Sequence, residues 1–198
     1  MTRSALAGWI AVISALPVSL SAQDTDLDWI VQEELQAGRI IVNFGDDQRY
    51  RGHIRAAVLI DATAEYVWAI LEDCENAPEY VPNVLSCELI ETFEQENAQI
   101  FRQRVKPRWY LPSFDHEFRA DYQPYTRIDV SRVSGPLSKL EGTWRLLPRT
   151  GGGIILMYFL DFEPGLPISR LIVGRILGHD LPVILAAVRD RAEGVSPL

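Results

Sequence analysis

Histidine, cysteine and basic residues are all scarce in this chain, and each scarcity removes a class of function. His53, His116 and His179 stand 63 residues apart with no Cys, Asp or Glu at ligand spacing beside them, which is not the pattern of a zinc site. No metal and no cofactor is expected. Lys and Arg total 19 against 27 Asp and Glu, a net charge of −8. That balance excludes nucleic acid as a partner, since its binding rests on clustered cations that neutralise phosphates. It equally excludes a polybasic patch for membrane surfaces. No Walker loop, Gly-x-Gly-x-x-Gly or Gly-x-Ser-x-Gly elbow follows a strand pattern, and the triplet Gly151, Gly152, Gly153 falls between two strands, where a hairpin turn accounts for it. Fixed-period repeats and linkers rich in Gly, Ser or Pro are missing too. With 198 residues, 47% of them apolar, the chain is sized for one buried core.

What is present begins with a leader. Residues 1–22 carry one cation, Arg3, then an apolar run over 6–18, then the small residues Ser19, Ser21 and Ala22. This is the order of a secretory signal peptide; a membrane span would want ~20 uninterrupted apolar residues, and Ser14 and Pro17 interrupt this shorter run. The expected location is therefore periplasmic or secreted, with a mature chain that starts near residue 23. Export removes the reducing buffer that keeps thiols free, so Cys74 and Cys87 are either a disulfide or two buried structural thiols.

Residues 23–51 read as an N-terminal helix and strand, and 52–193 as the main domain. Thr25 and Asp26 are candidate caps for a short helix carrying Leu27, Ile30, Val31, Glu34 and Leu35, with Gly38 as its stop. Residues 40–44 and 54–60 are β-branched runs separated by Gly45, Asp46 and Asp47, the pattern of paired strands. Asp61 and Thr63 offer caps for a helix over 64–72 whose buried stripe is Val67, Ile70 and Leu71. Pro78 and Pro82 leave room for one short helix at most. Six strands follow, over 85–92, 99–106, 115–122, 127–134, 139–147 and 154–162, joined by turn signals at 95–97, 123–125, 135–136 and 151–153. Residues 168–193 are helical in pattern, with Leu177, Leu181, Ile184, Leu185 and Val188 on one face and a kink or restart expected at Pro182. A curved antiparallel sheet of this kind buries one face against the last helix, an α+β arrangement that leaves a cavity wherever the helix does not fill the concavity.

Particular residues resemble a known family. Residues 58–73, with Asp61, Thr63 and Trp68, lead into Tyr80-Val81-Pro82; later come Leu140-Glu141-Gly142-Thr143-Trp144, then Phe162-Glu163-Pro164-Gly165, then Asp180-Leu181-Pro182. In that order and spacing they resemble the START-like and polyketide-cyclase superfamily, including its coenzyme Q-binding branch, over roughly 52–193. The chain differs from that branch in its leader and in having Ala77 before Pro78, where an aromatic is common. The resemblance implies a helix-grip fold, a sheet of about seven strands wrapped around a long C-terminal helix with an apolar pocket between. It implies a protein that binds a lipid, quinone or polyketide; only some members catalyse a reaction, and fold alone does not fix function.

The residues themselves narrow the search for a site. Phe101, Phe118, Tyr122, Trp144 and Tyr158 occupy strand positions able to line a concave face, and Leu177, Leu181 and Leu185 are the helix residues opposite. Strand alternation alone does not say which face is concave, because both faces of 139–147 are apolar. Arg132 and Arg145 would meet an acidic head group only if they face inward; on a strand, a surface arginine is the ordinary outcome. Glu117, Arg119 and Asp121 likewise read as solvent-facing charges rather than an acid–base pair. Trp109, Tyr110, Leu111 and Phe114 cluster in a loop broken by Pro107 and Pro112, which makes either a lid or membrane-touching surface at the pocket mouth, or a loop folded onto the core. The leading expectation is an exported binding or transport protein for a hydrophobic small molecule, acting without chemical change. The alternative is a cyclase or aromatase that uses pocket shape with a Tyr or Arg as acid.

Overall fold

The computed structural model describes residues 29–44, 52–106, 108–164 and 170–194. The leader, the caps Thr25 and Asp26, Leu27 and the turn at Gly45, Asp46 and Asp47 lie outside the described residues. A single α-turn and a half, α1 (Gln32–Gln36), opens this part; it starts at Val31 without a side-chain cap and ends at Gly38, whose φ of 76° closes it. The strands are β1 (Ile41–Phe44), β2 (Gly52–Ile60), β3 (Val84–Phe93), β4 (Ala98–Val105), β5 (Phe114–Gln123), β6 (Arg127–Ser134), β7 (Leu137–Pro148) and β8 (Ile154–Pro164). Helices α2 (Ala64–Glu72) and α3 (Ala77–Tyr80) connect β2 to β3, and α4 (Arg170–Ala192) follows β8.

All eight strands form one antiparallel sheet in the order β1-β2-β8-β7-β6-β5-β4-β3. The expected number was about seven; the further strand is β1, which joins the edge beside β2 in the register Ile41 to Ala57. Register shifts in β3, at Glu117/Phe118 and near Leu137 mark bulges, which bend the strands and deepen the curvature. The long meander from β3 to β8 is as the turn signals predict. At one turn Gly153 is obligatory: its φ is +71°, and a Cβ there would come within 2.5 Å of the Ile60 carbonyl oxygen.

One face of the sheet is concave and holds the core. Ala56, Val58 and Ile60 of β2 share it with Leu146, Ile154 and Leu156, and α2 and α4 cover them with Val67, Trp68, Ile70, Leu185 and Val188. Thr63 caps α2 by accepting a hydrogen bond from the Tyr66 amide at 3.3 Å. Trp68, which the stripe Val67, Ile70, Leu71 omits, is also buried. The convex face is covered at the β1 end by α1, where Leu35 and Ile30 pack with Ala57, Ile155 and Met157. Helix α4 runs unbroken through Pro182, so no restart occurs there. A proline deletes one i to i−4 hydrogen bond, and here burial of Leu181 and Leu185 on either side holds the helix together. Among its described contacts α4 lies over β1 and β2 and beside α2 and α3.

Candidate functional site

Because α4 sits toward the β1–β2 end, the inward side chains of β4 to β8 are covered unevenly, and this is where the candidate site lies. The register puts Phe101 opposite Phe118, Tyr122 opposite Ile128, Ile128 opposite Trp144, and Trp144 opposite Tyr158. All five sequence-selected aromatics therefore share the concave face. They form two stacks: Phe101 on Phe118 with centroids 5.6 Å apart, and Trp144 on Tyr158 at 4.1 Å. Phe101 is buried, while Phe118, Trp144 and Tyr158 keep part of their surface. Space for the second stack comes from Gly142, where a Cβ would lie 3.3 Å from the Tyr158 hydroxyl. Burial pushes the Tyr158 phenol well above its ordinary value, so it remains a neutral hydroxyl at the end of an apolar wall.

Tyr122 stands apart. It meets Trp68 edge-on at 5.9 Å, donates to Gln99 Oε1 at 3.0 Å, and helps line a groove of about 280 Å³ with Glu72, Phe93, Glu94 and Asn97. Its phenol is raised by burial first and by the Glu72 charge second. Leu181 packs with Ile54, Leu160 and Phe162 beside Tyr158. Leu185 has no accessible surface and is sealed into the core under α4, so it anchors the helix rather than facing open space. Leu177 lies within α4, but its side chain is outside the described residues.

The loop residues divide. Trp109 is 85% exposed and Tyr110 61% exposed, with their rings in edge contact at 5.5 Å, which rules out a loop folded onto the core at these two positions. Leu111 is half-buried, and Phe114 is the first residue of β5 rather than part of the loop. Next to them is a contact that periodicity does not reveal. Asp180 of α4 is buried and accepts from Arg108 Nη1 at 3.1 and 3.2 Å and from Asn83 Nδ2 at 2.9 Å. The partners are 72 and 97 residues away in sequence, a separation at which no local signal exists.

Cys74 and Cys87 form a disulfide, with Cα atoms 5.5 Å apart, that joins the end of α2 to β3. Nearby, Tyr80 donates to the Ile70 carbonyl at 2.8 Å under the guanidinium of Arg191, 4.9 Å from its ring centroid. Burial, with help from Asp73 and against Arg191, pushes this phenol up to about 12.

The polar residues of the concave wall are few. His116 continues the face of Phe118, tilted against it at 5.7 Å, and its Nε2 is 3.0 Å from Gln103 Oε1. Its Nδ1 is buried without a partner, and burial lowers the ring's affinity for a proton against the pull of Asp115. Arg132, opposite Phe118, takes an inward register position near the end of β6, where the residue is exposed at the rim; Arg145, opposite Arg127 and next to Trp144, faces outward. Glu117 and Asp121 also face outward, bonded to Arg102 and Arg119 as surface pairs. Among the described residues no three His, Cys, Asp or Glu side chains converge.

Residues 60–189 match the family described as polyketide cyclase / dehydrase and lipid transport. The chain belongs to this family. A putative polyketide cyclase from Streptomyces cyaneus is 27% identical over 150 residues, which are 73% of this chain and 96% of that protein. Among solved structures, a START superfamily protein from Mycobacterium smegmatis superposes with a TM-score of 0.64 at 21% identity, over 73% of this chain and 99% of that one. The ZhuI aromatase/cyclase from Streptomyces sp. R1128 gives 0.63 at 19% identity, over 72% and 94%. A STAR-related lipid transfer protein from Xanthomonas axonopodis gives 0.62 at 18%, over 76% and 98%. At these identities the structural matches establish the helix-grip fold. The matched span begins at the last residue of β2, so α1 and β1 lie outside it.

Proposed function

We propose that this protein binds and carries a hydrophobic small molecule, held against the concave face of β4 to β8 and not chemically altered. The observation that carries the reading is the pair of aromatic stacks, Phe101 on Phe118 and Trp144 on Tyr158, left partly uncovered on the same face of the sheet. Partly exposed flat rings on an inward wall offer area rather than reactivity. At ~25 cal/mol per Å² of apolar surface, covering a few hundred Å² supplies several kcal/mol before ordering costs are subtracted. Residual polar groups, the neutral Tyr158 hydroxyl and the His116–Gln103 pair, would orient the ligand.

The disulfide and the leader both support action outside the reducing cytoplasm, after removal of residues 1–22. Trp109 and Tyr110, exposed at the loop, supply a surface for transient contact with a membrane from which a lipid, isoprenoid or aromatic ligand is taken.

A second reading rests on His116. A half-buried histidine with one nitrogen paired to Gln103 is the kind of group a cyclase or aromatase would use to move a proton. One experiment separates the two. The protein is purified from the compartment where it resides, extracted, and the extract identified by mass spectrometry; uptake of the neutral fluorophore N-phenyl-1-naphthylamine is measured in wild type and in Trp144→Ala. A hydrophobic compound recovered unchanged after incubation, with uptake weakened in the variant, is the expected result. No uptake refutes the carrier, and turnover lost in His116→Gln establishes the enzyme.

A further inference from the structure

The concave wall is almost uncharged. Read through the register, the inward positions of β4, β5, β7 and β8 hold Gln99, Gln103, His116 and apolar or aromatic side chains, and those of β6 hold Ile128, Val130 and Arg132. Arg132 is thus the one formal charge among the described inward positions of β4 to β8. It stands opposite Phe118, next to the first aromatic stack. Its guanidinium makes one hydrogen bond, from Nη2 to the Gly135 carbonyl at 2.9 Å, and no acid lies against it among the described residues. Three arginines on the outward face are met by acids: Arg102 by Glu117, Arg119 by Asp121 and Glu96, Arg127 by Asp129.

Gly135 draws Arg132 and His116 together. With φ at +116° it lies over His116 so closely that a Cβ would come within 2.6 Å of the histidine's own Cβ, while its carbonyl holds Arg132. The rim of the wall therefore combines a guanidinium with spare donors, an imidazole and the amide of Gln103. Because burial keeps His116 neutral, the rim carries a single positive charge.

We propose that Arg132 holds the oxyanion head, a carboxylate or a phosphate monoester, of an amphiphile whose apolar body lies along Phe118, Phe101, Trp144 and Tyr158. This rests on the carrier reading and adds the ligand's class to it. A guanidinium matches either oxyanion with paired N–H donors, and in a chain of net charge −8 an arginine with no acid against it gives an anion a local positive charge to meet.

The test is displacement of bound N-phenyl-1-naphthylamine by three twelve-carbon competitors, dodecanoate, dodecyl phosphate and dodecanol, in wild type, Arg132→Gln and Arg132→Lys. In wild type at least one anion should compete about tenfold better than the alcohol, the size of one charge-assisted hydrogen bond near a surface. Which anion is stronger identifies the source of the head. Arg132→Gln should bring the anion-to-alcohol ratio close to one, and Arg132→Lys should restore it in part. Equal competition by all three in wild type, or a ratio untouched by Arg132→Gln, overturns the subsite while leaving the carrier intact. Failure of the fluorophore to bind at all overturns the carrier, and the subsite with it.

Discussion

Asp180→Ala tests how the aromatic loop and α4 are joined. The carboxylate is buried, its side chain 11% exposed, and it is met by Arg108, 24% exposed, and by Asn83. Removing one partner of a fully buried ion pair costs ~3 to 5 kcal/mol, because the other charge is left without compensation. Arg108 reaches water more readily than that limit assumes, which brings the expectation to roughly 2 to 3 kcal/mol, including the stranded Asn83 amide. For a domain of this size each kcal/mol moves Tm by about 2 to 4 °C, so thermal unfolding should fall by roughly 4 to 12 °C. Arg108→Ala should cost less, since Asp180 keeps Asn83, and the double variant should fall short of the sum because the two residues share one interaction. The loop itself should loosen in both, with faster chymotryptic cleavage at Trp109 and Tyr110 and faster exchange of a bound fluorophore. A Tm loss under about 1 °C in Asp180→Ala, with unchanged proteolysis, would refute the reasoning, as it would mean the contact contributes no more than an exposed surface pair.

The disulfide closes a short loop of sequence separation 13, and its removal in Cys74→Ser/Cys87→Ser should lower stability by about 3 kcal/mol in denaturant unfolding. Trp109→Ser/Tyr110→Ser should leave Tm within about 2 °C because both side chains are exposed, yet weaken binding to lipid vesicles in a flotation assay. His116 titrates below its ordinary 6.5 when folded, so the unfolded chain takes the proton first: stability from this group is complete above pH 6.5 and declines as pH falls below it. Urea midpoints measured from pH 7.5 to 5 should show that decline in wild type and a shallower one in His116→Gln.

Most of the fold was readable because it rests on short-range signals. Turn residues marked four of the five connections of the meander, the β4–β5 loop being the exception, while Thr63 marked the start of α2 and Gly38 the end of α1. The aromatics of the site were readable as candidates but not as a site. Alternation places Trp144 and Leu147 on opposite faces of β7, and only the position of α4, set by contacts across the whole chain, decides which face is inward. For the same reason the sequence did not separate Arg132 from Arg145, or Leu185, sealed in the core, from a residue beside open space. Pro182 misled toward a helix restart because its local cost is visible in sequence and the burial that offsets it is not. The Asp180–Arg108–Asn83 contact had no signal at all, being made by three ordinary polar residues from three distant elements.

The order of the strands has a mechanical consequence. β2 and β3 are neighbours in sequence but lie toward opposite ends of the sheet, so the chain from Asp61 to Asn83 must cross the hollow side from end to end. It does so as a bowstring across a bow: α2 is pinned by Val67 and Trp68, Tyr80 ties α3 back to Ile70, and the disulfide fastens the far end to β3. A sheet strung in this way resists flattening, because its limbs part only if the string stretches. The far end of the string is tied to the last helix as well: Asp180 accepts from Asn83, where the string ends, and from Arg108, next to Trp109 and Tyr110, so string, loop and helix are knotted at one carboxylate and part only together.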